Sequence, residues 1–184
     1  MTGVTEPSAV HIADYDPSWP RQAAEAIEAL RAAAPGLFVE IEHIGSTAVP
    51  GLAAKPVIDL MAAVHDLTCA ATHREALAGL GYHPHDNGMT DRQLYVRADG
   101  GARSRILHVV TLESWPTRNQ RIFRDHLRAH PEDARRYARL KWATAAASTG
   151  AGEYSRGKTA LVQEITDRAR AERGLPSVPV WEKG

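Results

Sequence analysis

Apolar residues return along this chain with two rhythms, one helical and one alternating. Between Trp19 and Ala33 the spacing predicts a helix whose inner face carries Trp19, Ala23, Ile27 and Leu30. Ser18 stands where a cap belongs, Pro20 fits a first turn, and Pro35-Gly36 ends the run. Before it, Val10 to Asp16 reads as a short strand or extended arm that stops at Pro17, and residues 1–9 read as loose. Leu37 to Ile44 alternates with period two, so Glu40 and Glu42 share one side with Phe38 and Ile44, and His43 shares the other with Leu37, Val39 and Ile41. Val57 to Val64 is apolar except for Asp59, as a central strand covered on both faces would be. One helix is then expected from a Thr68 or Thr72 cap through Leu80, followed by a loop over 82–91 with an Asn87-Gly88 turn. Residues 92–96 and 103–112 read as strands joined by Asp99-Gly100-Gly101.

The remainder is helical in pattern. A helix over 118–128 carries Ile122, Phe123, His126 and Leu127 on one stripe, and His130-Pro131-Glu132 breaks it. A second runs over 132–148 with Tyr137, Leu140, Lys141 and Ala145 on its stripe. A third starts near Ser155 or Lys158 and buries Leu161, Val162, Ile165 and Ala169. The Pro-rich tail from Gly174 is expected to pair with nothing.

Composition narrows the function classes. Lysine and arginine total 22, as do aspartate and glutamate, so the formal charge is zero. That gives no bulk attraction to long nucleic acid or to an anionic membrane. No apolar run reaches the roughly 20 residues of a membrane span, and the N-terminus lacks the basic and apolar regions of a secretion signal. The expected location is cytoplasmic. Cys69 is the one cysteine, so no internal disulfide is possible, and it reads as a buried or half-buried bystander.

The candidate chemistry centres on residues 41–64. Gly45 ends a strand and frees the backbone to turn, and the N–H groups and hydroxyls of Ser46 and Thr47 that follow suit a phosphate, or form a plain capped turn. Asp59 stands alone in an apolar strand, where a carboxylate must be paired, metal-bound or at the strand end. Glu42 on the neighbouring strand is a second oxygen donor for Mg²⁺ or Mn²⁺. Lys55 either balances phosphate charge or is an ordinary loop lysine. His108 interrupts an apolar strand as a ligand, a base or a satisfied core histidine. Arg92, Arg103, Arg105, Arg124 and Lys141 are candidates for a wall facing a polyanionic substrate. Tyr154 and Lys158, four apart, either close over phosphates or cap the last helix. No Walker motif, nucleophile elbow or HExxH occurs.

Several motifs together resemble a known family. Tyr15-Asp16-Pro17 with Trp19, IEHIGSTAVPGLAAKPVIDL (41–60), Gly81-Tyr82, LHVV (107–110), FRDHLRAHPEDARRYARLK (123–141), and Tyr154 with Lys158 look like the GrpB family over nearly the whole chain. That family is similar in fold to the DNA polymerase β type nucleotidyltransferases. The resemblance implies Gly45-Ser46 at nucleotide phosphates and Asp59 as the first metal-binding acid. The second acid would fall at position 61, which is Met61, and the strand expected to supply a third offers His108 instead.

The expected fold is therefore α/β (α+β), a nucleotidyltransferase-like short mixed sheet flanked by helices, with C-terminal helices. One domain is expected over 1–184, comprising an α/β core at 10–112, a helical part at 118–172 and a tail at 174–184. The leading functional expectation is nucleotidyl transfer from a nucleoside triphosphate to a small acceptor. In it, Asp59 and Glu42 hold Mg²⁺ or Mn²⁺, His108 orients or deprotonates the acceptor, and Lys55 with the arginines steadies phosphate charge. A non-catalytic nucleotide or phospho-metabolite sensor is the first alternative. A metal-dependent hydrolase built on His43, His108 and Asp59 is the second.

Overall fold

The helix expected over Trp19–Ala33 forms at those residues as α1, with Pro20 in the first turn, where a missing N–H costs no hydrogen bond. Its buried face carries Ala26 where Ile27 was expected, and Ile27 is half-buried. The structure, a computed structural model, describes residues 10–86 and 88–180. The expectations for residues 1–9, for Asn87 in its turn and for the last four residues of the tail lie outside the described residues.

Strand β1 is Glu40–Ile44, shorter than the run of alternation that predicts it. Leu37 and Phe38 are buried but precede the ladder, which opens where the Val39 N–H donates to the Ala63 carbonyl at 2.9 Å. Strand β2 is Ile58–Val64. The single helix expected next is two, α2 (Leu67–Thr72) and α3 (Arg74–Gly79), interrupted at His73. Asp66 caps α2 by accepting from the Thr68 N–H at 2.8 Å, and that bond with the Thr68 hydroxyl holds its carboxyl below the usual range. Cys69, in α2, is exposed rather than buried. The stretch expected to be loop contributes a two-residue strand β3 (His83–Pro84), and β4 (Gln93–Asp99) and β5 (Ala102–Thr111) follow. Gly100 and Gly101 join them with φ of 62° and 84°, a turn that needs glycine.

These strands make one five-stranded sheet of order β1-β2-β5-β4-β3. Only β2 and β5 run parallel, and the other neighbours are antiparallel. β2 is covered on both faces, and Leu60 through Val64 are fully buried. On one face Ile44, Met61, Ala63 and Val110 pack with Trp115. The other face carries Leu60, Ala62, Leu107 and Val109. Gln93 shares it and donates to the Leu67 carbonyl at 2.9 Å, which puts α2 on this side.

The chain divides into two compact units, and the division cuts the expected 10–112 core differently. One unit holds Pro17–Ile44 and Val57–Pro116; the other holds residues 10–16, Gly45–Pro56 and 117–180. The segment 45–56 belongs with the C-terminal helices because Val49 and Leu52 are buried among Leu127, Tyr137 and Ile165. Those helices are α4 (Asn119–Ala129), α5 (Pro131–Ala147) and α6 (Ala151–Ala171), the last starting one turn earlier than the pattern suggests. Pro131 both ends α4 and opens α5, as a residue without an N–H can. Phe123 meets Tyr137 edge-to-face with centroids 5.3 Å apart. The arm expected over 10–16 makes a single bridge, Ala13 to Ala54, with both bonds at 2.9 Å. The tail is not unpaired. Gln163 donates to the Val178 carbonyl at 3.0 Å and accepts from the Val180 N–H at 2.9 Å, and Arg170 donates to the Pro176 carbonyl at 2.6 Å.

Helices α5 and α6 meet closely at Gly157, where an added Cβ would stand 2.5 Å from Thr144 Cγ2. Thr144 is β-branched and stiff in a helix, so it cannot swing away cheaply. Gly157→Ala is expected to destabilise the protein by about 1–3 kcal/mol through overpacking. Adding Thr144→Ala should restore stability and expose the roughly 1 kcal/mol helix-propensity gain of alanine over glycine. Urea midpoints of the two variants check this, and a single variant as stable as the parent would show that the interface yields.

Candidate functional site

Strand register decides which of the candidate side chains meet. Residues paired across neighbouring strands point to the same face. Glu42 pairs with Met61, Met61 with His108, and His108 with Leu94, so these form one row across four strands. One step along, Ile44 pairs with Asp59 and Asp59 with Ile106. Glu42, Asp59 and His108 therefore share a face, with each of the outer two a diagonal neighbour of Asp59.

Asp59 is the second residue of β2 and the one position of the strand that is not buried, although Val57 and Ile58 before it are; its side chain is 27% exposed against 12% for His108. His108 Nε2 lies 3.9 Å from Asp59 Oδ1. On its other side, His108 Nδ1 lies 3.5 Å from Arg92 Nη1. A guanidinium has no acceptor, so Nδ1 is the acceptor there and the imidazole proton sits on Nε2, towards Asp59. Both ring nitrogens are thus engaged, one by a cation and one by a carboxylate. His108 lies between Arg92 and Asp59. Arg92 is itself buried, and its Nε and Nη2 donate to Met89 Sδ at 3.0 and 2.8 Å.

Met61 occupies the middle of the row, fully buried with Ile44, Ala63, Val110 and Trp115. A carboxylate at that position would lose its hydration among those apolar groups and would stand between Glu42 and His108, its partners across β1 and β5. The face carries Asp59 and Glu42 as its carboxylates, fewer than a two-ion clamp needs.

Two candidates fall on the wrong side of the sheet. Arg105 pairs with Ile58 and shares the face of Leu60, where its charge acts on Tyr82. The expected wall therefore does not include it beside Asp59. His43 pairs with Leu60 and also points away from His108. The hydrolase arrangement, which needs His43 and His108 side by side, is excluded by that register.

In the other unit, Gly45 follows β1 directly in the chain and takes φ 73° and ψ −175°, a region reserved in practice for glycine. Ser46–Ala48 form a single 3₁₀ turn, with the Ala48 N–H on the Gly45 carbonyl and the Val49 N–H on that of Ser46, both at 3.1 Å. Ser46 is half-buried, whereas Thr47 is 1% exposed and its hydroxyl is withdrawn from solvent. Lys55 is half-buried beside the Ala54 bridge.

Lys141 is not a wall residue. It is 1% exposed and its ammonium donates to the Ala53 carbonyl while lying 4.6 Å from the Tyr137 ring centroid. Arg128 does the same for the Ala48 carbonyl at 2.9 Å, so two cations from α4 and α5 pin the irregular segment 45–56. Arg124 is buried and spends its charge on Asp125, with Nε at 2.8 Å and Nη2 at 2.7 Å. Lys158 sits 3.9 Å over the Tyr154 ring, and burial pushes the Tyr154 hydroxyl up. Tyr154 packs with Ile12 and Ala53. Met89 and Trp115, which support the Asp59 face, carried no signal in the sequence pattern.

Residues 9–168 match the family described as GrpB protein. A UPF0157 protein of Pseudomonas aeruginosa is 39% identical over 179 residues, covering 92% of this chain and 71% of that protein. The crystal structure of conserved protein GrpB from Enterococcus faecalis superposes with a TM-score of 0.82 at 27% identity, covering 89% of this chain and 99% of that one. Terminal uridylyl transferase 4 from Trypanosoma brucei, solved with bound dUTP, superposes with a TM-score of 0.50 at 12% identity, covering 92% of this chain and 63% of that one. At that identity the likeness establishes the fold alone. No helix among the described residues is long and apolar enough to cross a membrane.

Burial, and then the charge of Lys158, lower Lys141 from the ordinary 10.5 to about 7. Between those values the unfolded chain binds more protons than the folded one, so stability rises with pH across the window and is lost as pH falls through it. The slope from this one group is at most about 1.4 kcal/mol per pH unit. Unfolding midpoints from pH 7 to 10 should show it in the parent and lose it in Lys141→Met. Equal slopes in the two proteins would remove Lys141 as the cause.

Proposed function

The chain belongs to the GrpB family and has the nucleotidyltransferase fold, and we propose that it binds a nucleoside triphosphate through one divalent cation at the Asp59 face and transfers the nucleotidyl group to a small acceptor. The observation that carries this reading is the common face of Glu42, Asp59 and His108, with Asp59 the one partly exposed residue of a buried strand. Asp59 and Glu42 would hold Mg²⁺ or Mn²⁺, which would neutralise charge on the phosphate oxygens. His108 keeps the Asp59 carboxylate in place, and Arg92 keeps His108 in its tautomer. The formal charge of zero favours a small acceptor over a long polynucleotide.

A second reading, nucleotide binding without turnover, draws on Met61. Two-ion phosphoryl chemistry clamps both the attacking and the leaving oxygen, and the burial of Met61 leaves no carboxylate for the second ion.

Calorimetry with UTP and ATP, each with and without Mg²⁺ or Mn²⁺, tests the shared part of the two readings. Metal-dependent affinity should fall at least tenfold, or about 1.4 kcal/mol, in Asp59→Asn. Arg105→Ala, on the opposite face, should leave it unchanged. If Asp59→Asn binds nucleotide and metal as the parent does, both readings are lost. Pyrophosphate release in the presence of small hydroxyl and amine acceptors then separates transfer from binding alone.

A further inference from the structure

The second unit holds a polar cluster that the nucleotide reading does not use. His126, on the buried stripe of α4, is among the most enclosed side chains of the protein, at 0% exposure. Its Nε2 is 2.8 Å from Asp133 Oδ2, and Asp133 is 2% exposed. Arg136 at 3.1 Å and Arg168 at 3.0 Å also pair with Asp133, so the carboxylate stands among donors. Asp133 therefore accepts, Nε2 carries the proton, and Nδ1 presents its lone pair. That Nδ1 is buried and has no hydrogen-bond partner.

What the lone pair faces is another lone pair. Glu172 Oε2, at the C-cap of α6, lies 3.5 Å from His126 Nδ1 and 3.9 Å from His130 Nε2. Two imidazoles and a carboxylate thus converge, with one ligand atom from each within 4.8 Å of the others. The arrangement lacks a positive charge at its centre. Ligand atoms around a zinc ion, held at about 2.0–2.2 Å, stand roughly 3.3 Å apart. The His126–Glu172 distance already matches this. The His130 ring, stacked on His126 at 3.9 Å between centroids, must turn to direct its lone pair inwards. His130 is 34% exposed and Glu172 47%, so both have room to move.

We infer that His126, His130 and Glu172 form a binding site for Zn²⁺ or a similar late first-row divalent ion, with water completing the shell. Two imidazoles with one carboxylate suit such an ion, whereas Mg²⁺ takes oxygen ligands. Asp133 is the outer partner that fixes the His126 tautomer, a carboxylate–histidine–metal relay. The ion would tie the C-terminal end of α4, the α4–α5 junction and the C-terminal end of α6 to one point. A doubly protonated His126 bridging Asp133 and Glu172 would also satisfy Nδ1, and is the competing arrangement.

The test uses the full chain, stripped with chelator and titrated at pH 7.5 with Zn²⁺ and, for its visible absorption, with Co²⁺. The parent should bind one equivalent, give the intense absorption of four-coordinate Co²⁺, and gain thermal stability with Zn²⁺. Glu172→Gln and His130→Ala, both partly exposed and expected to fold, should each weaken binding by at least the roughly 10- to 100-fold that loss of an outer partner costs, and should lose the thermal gain. Mg²⁺ should not compete. If the parent binds neither ion, or binds them as the two variants do, the site is wrong and the protonated histidine pair stands in its place.

Discussion

Strand β2 has no free side. Its backbone is bonded to β1 on one edge and to β5 on the other, and its side chains are covered above and below. A charge in such a strand is tolerated only where the side chain keeps contact with water, and within β2 that is its second residue alone. Asp59 stands there, and the rest of the candidate site follows from it. Register with β1 supplies Glu42 on the same face, register with β5 supplies His108, and Arg92, just before β4, backs the histidine. The same constraint keeps Met61 apolar, because that position lies where cover is complete.

The elements that were legible in the sequence are those whose signal is local. The spacing from Trp19 to Ala33, the Pro131 break and the solitary Asp59 each rest on neighbours along the chain, and each corresponds to a feature of the structure. What was not legible depends on pairing. Alternation alone can say that Glu42 and His43 point oppositely, but not which of them His108 joins. That needs the register of three strands, and it puts Arg105 and His43 away from Asp59. The tail failed for a related reason. Its partners are Gln163 and Arg170 on α6, and no local pattern marks either as a partner of backbone beyond the helix. His126 and His130 were read only as packing and as a helix break. Their four-residue spacing was a visible clue, but Glu172, the residue that gives it meaning, is far along the chain.

Segment 45–56 has one 3₁₀ turn and one bridge, and side chains from the C-terminal helices hold more of its backbone. Buried carbonyls need donors, and here Lys141 and Arg128 supply them to Ala53 and Ala48, while Ala13 pairs with Ala54. Using a lysine this way costs desolvation, which is why its proton affinity falls. Four side chains that looked like phosphate ligands by type, Arg124, Lys141, Tyr154 and Lys158, are spent on internal partners instead.

The cover over Met61 has a bearing on how this scaffold can change. A lineage gaining a second acid at that point would place it in the packed cover of the sheet. The new carboxylate would meet Trp115 and Val110 before it met water. The indole would have to leave first, and its departure alone would open a cavity in the sheet's cover. Either order passes through a weakened intermediate, so the present chemistry of the face is guarded by packing as much as by selection on any reaction.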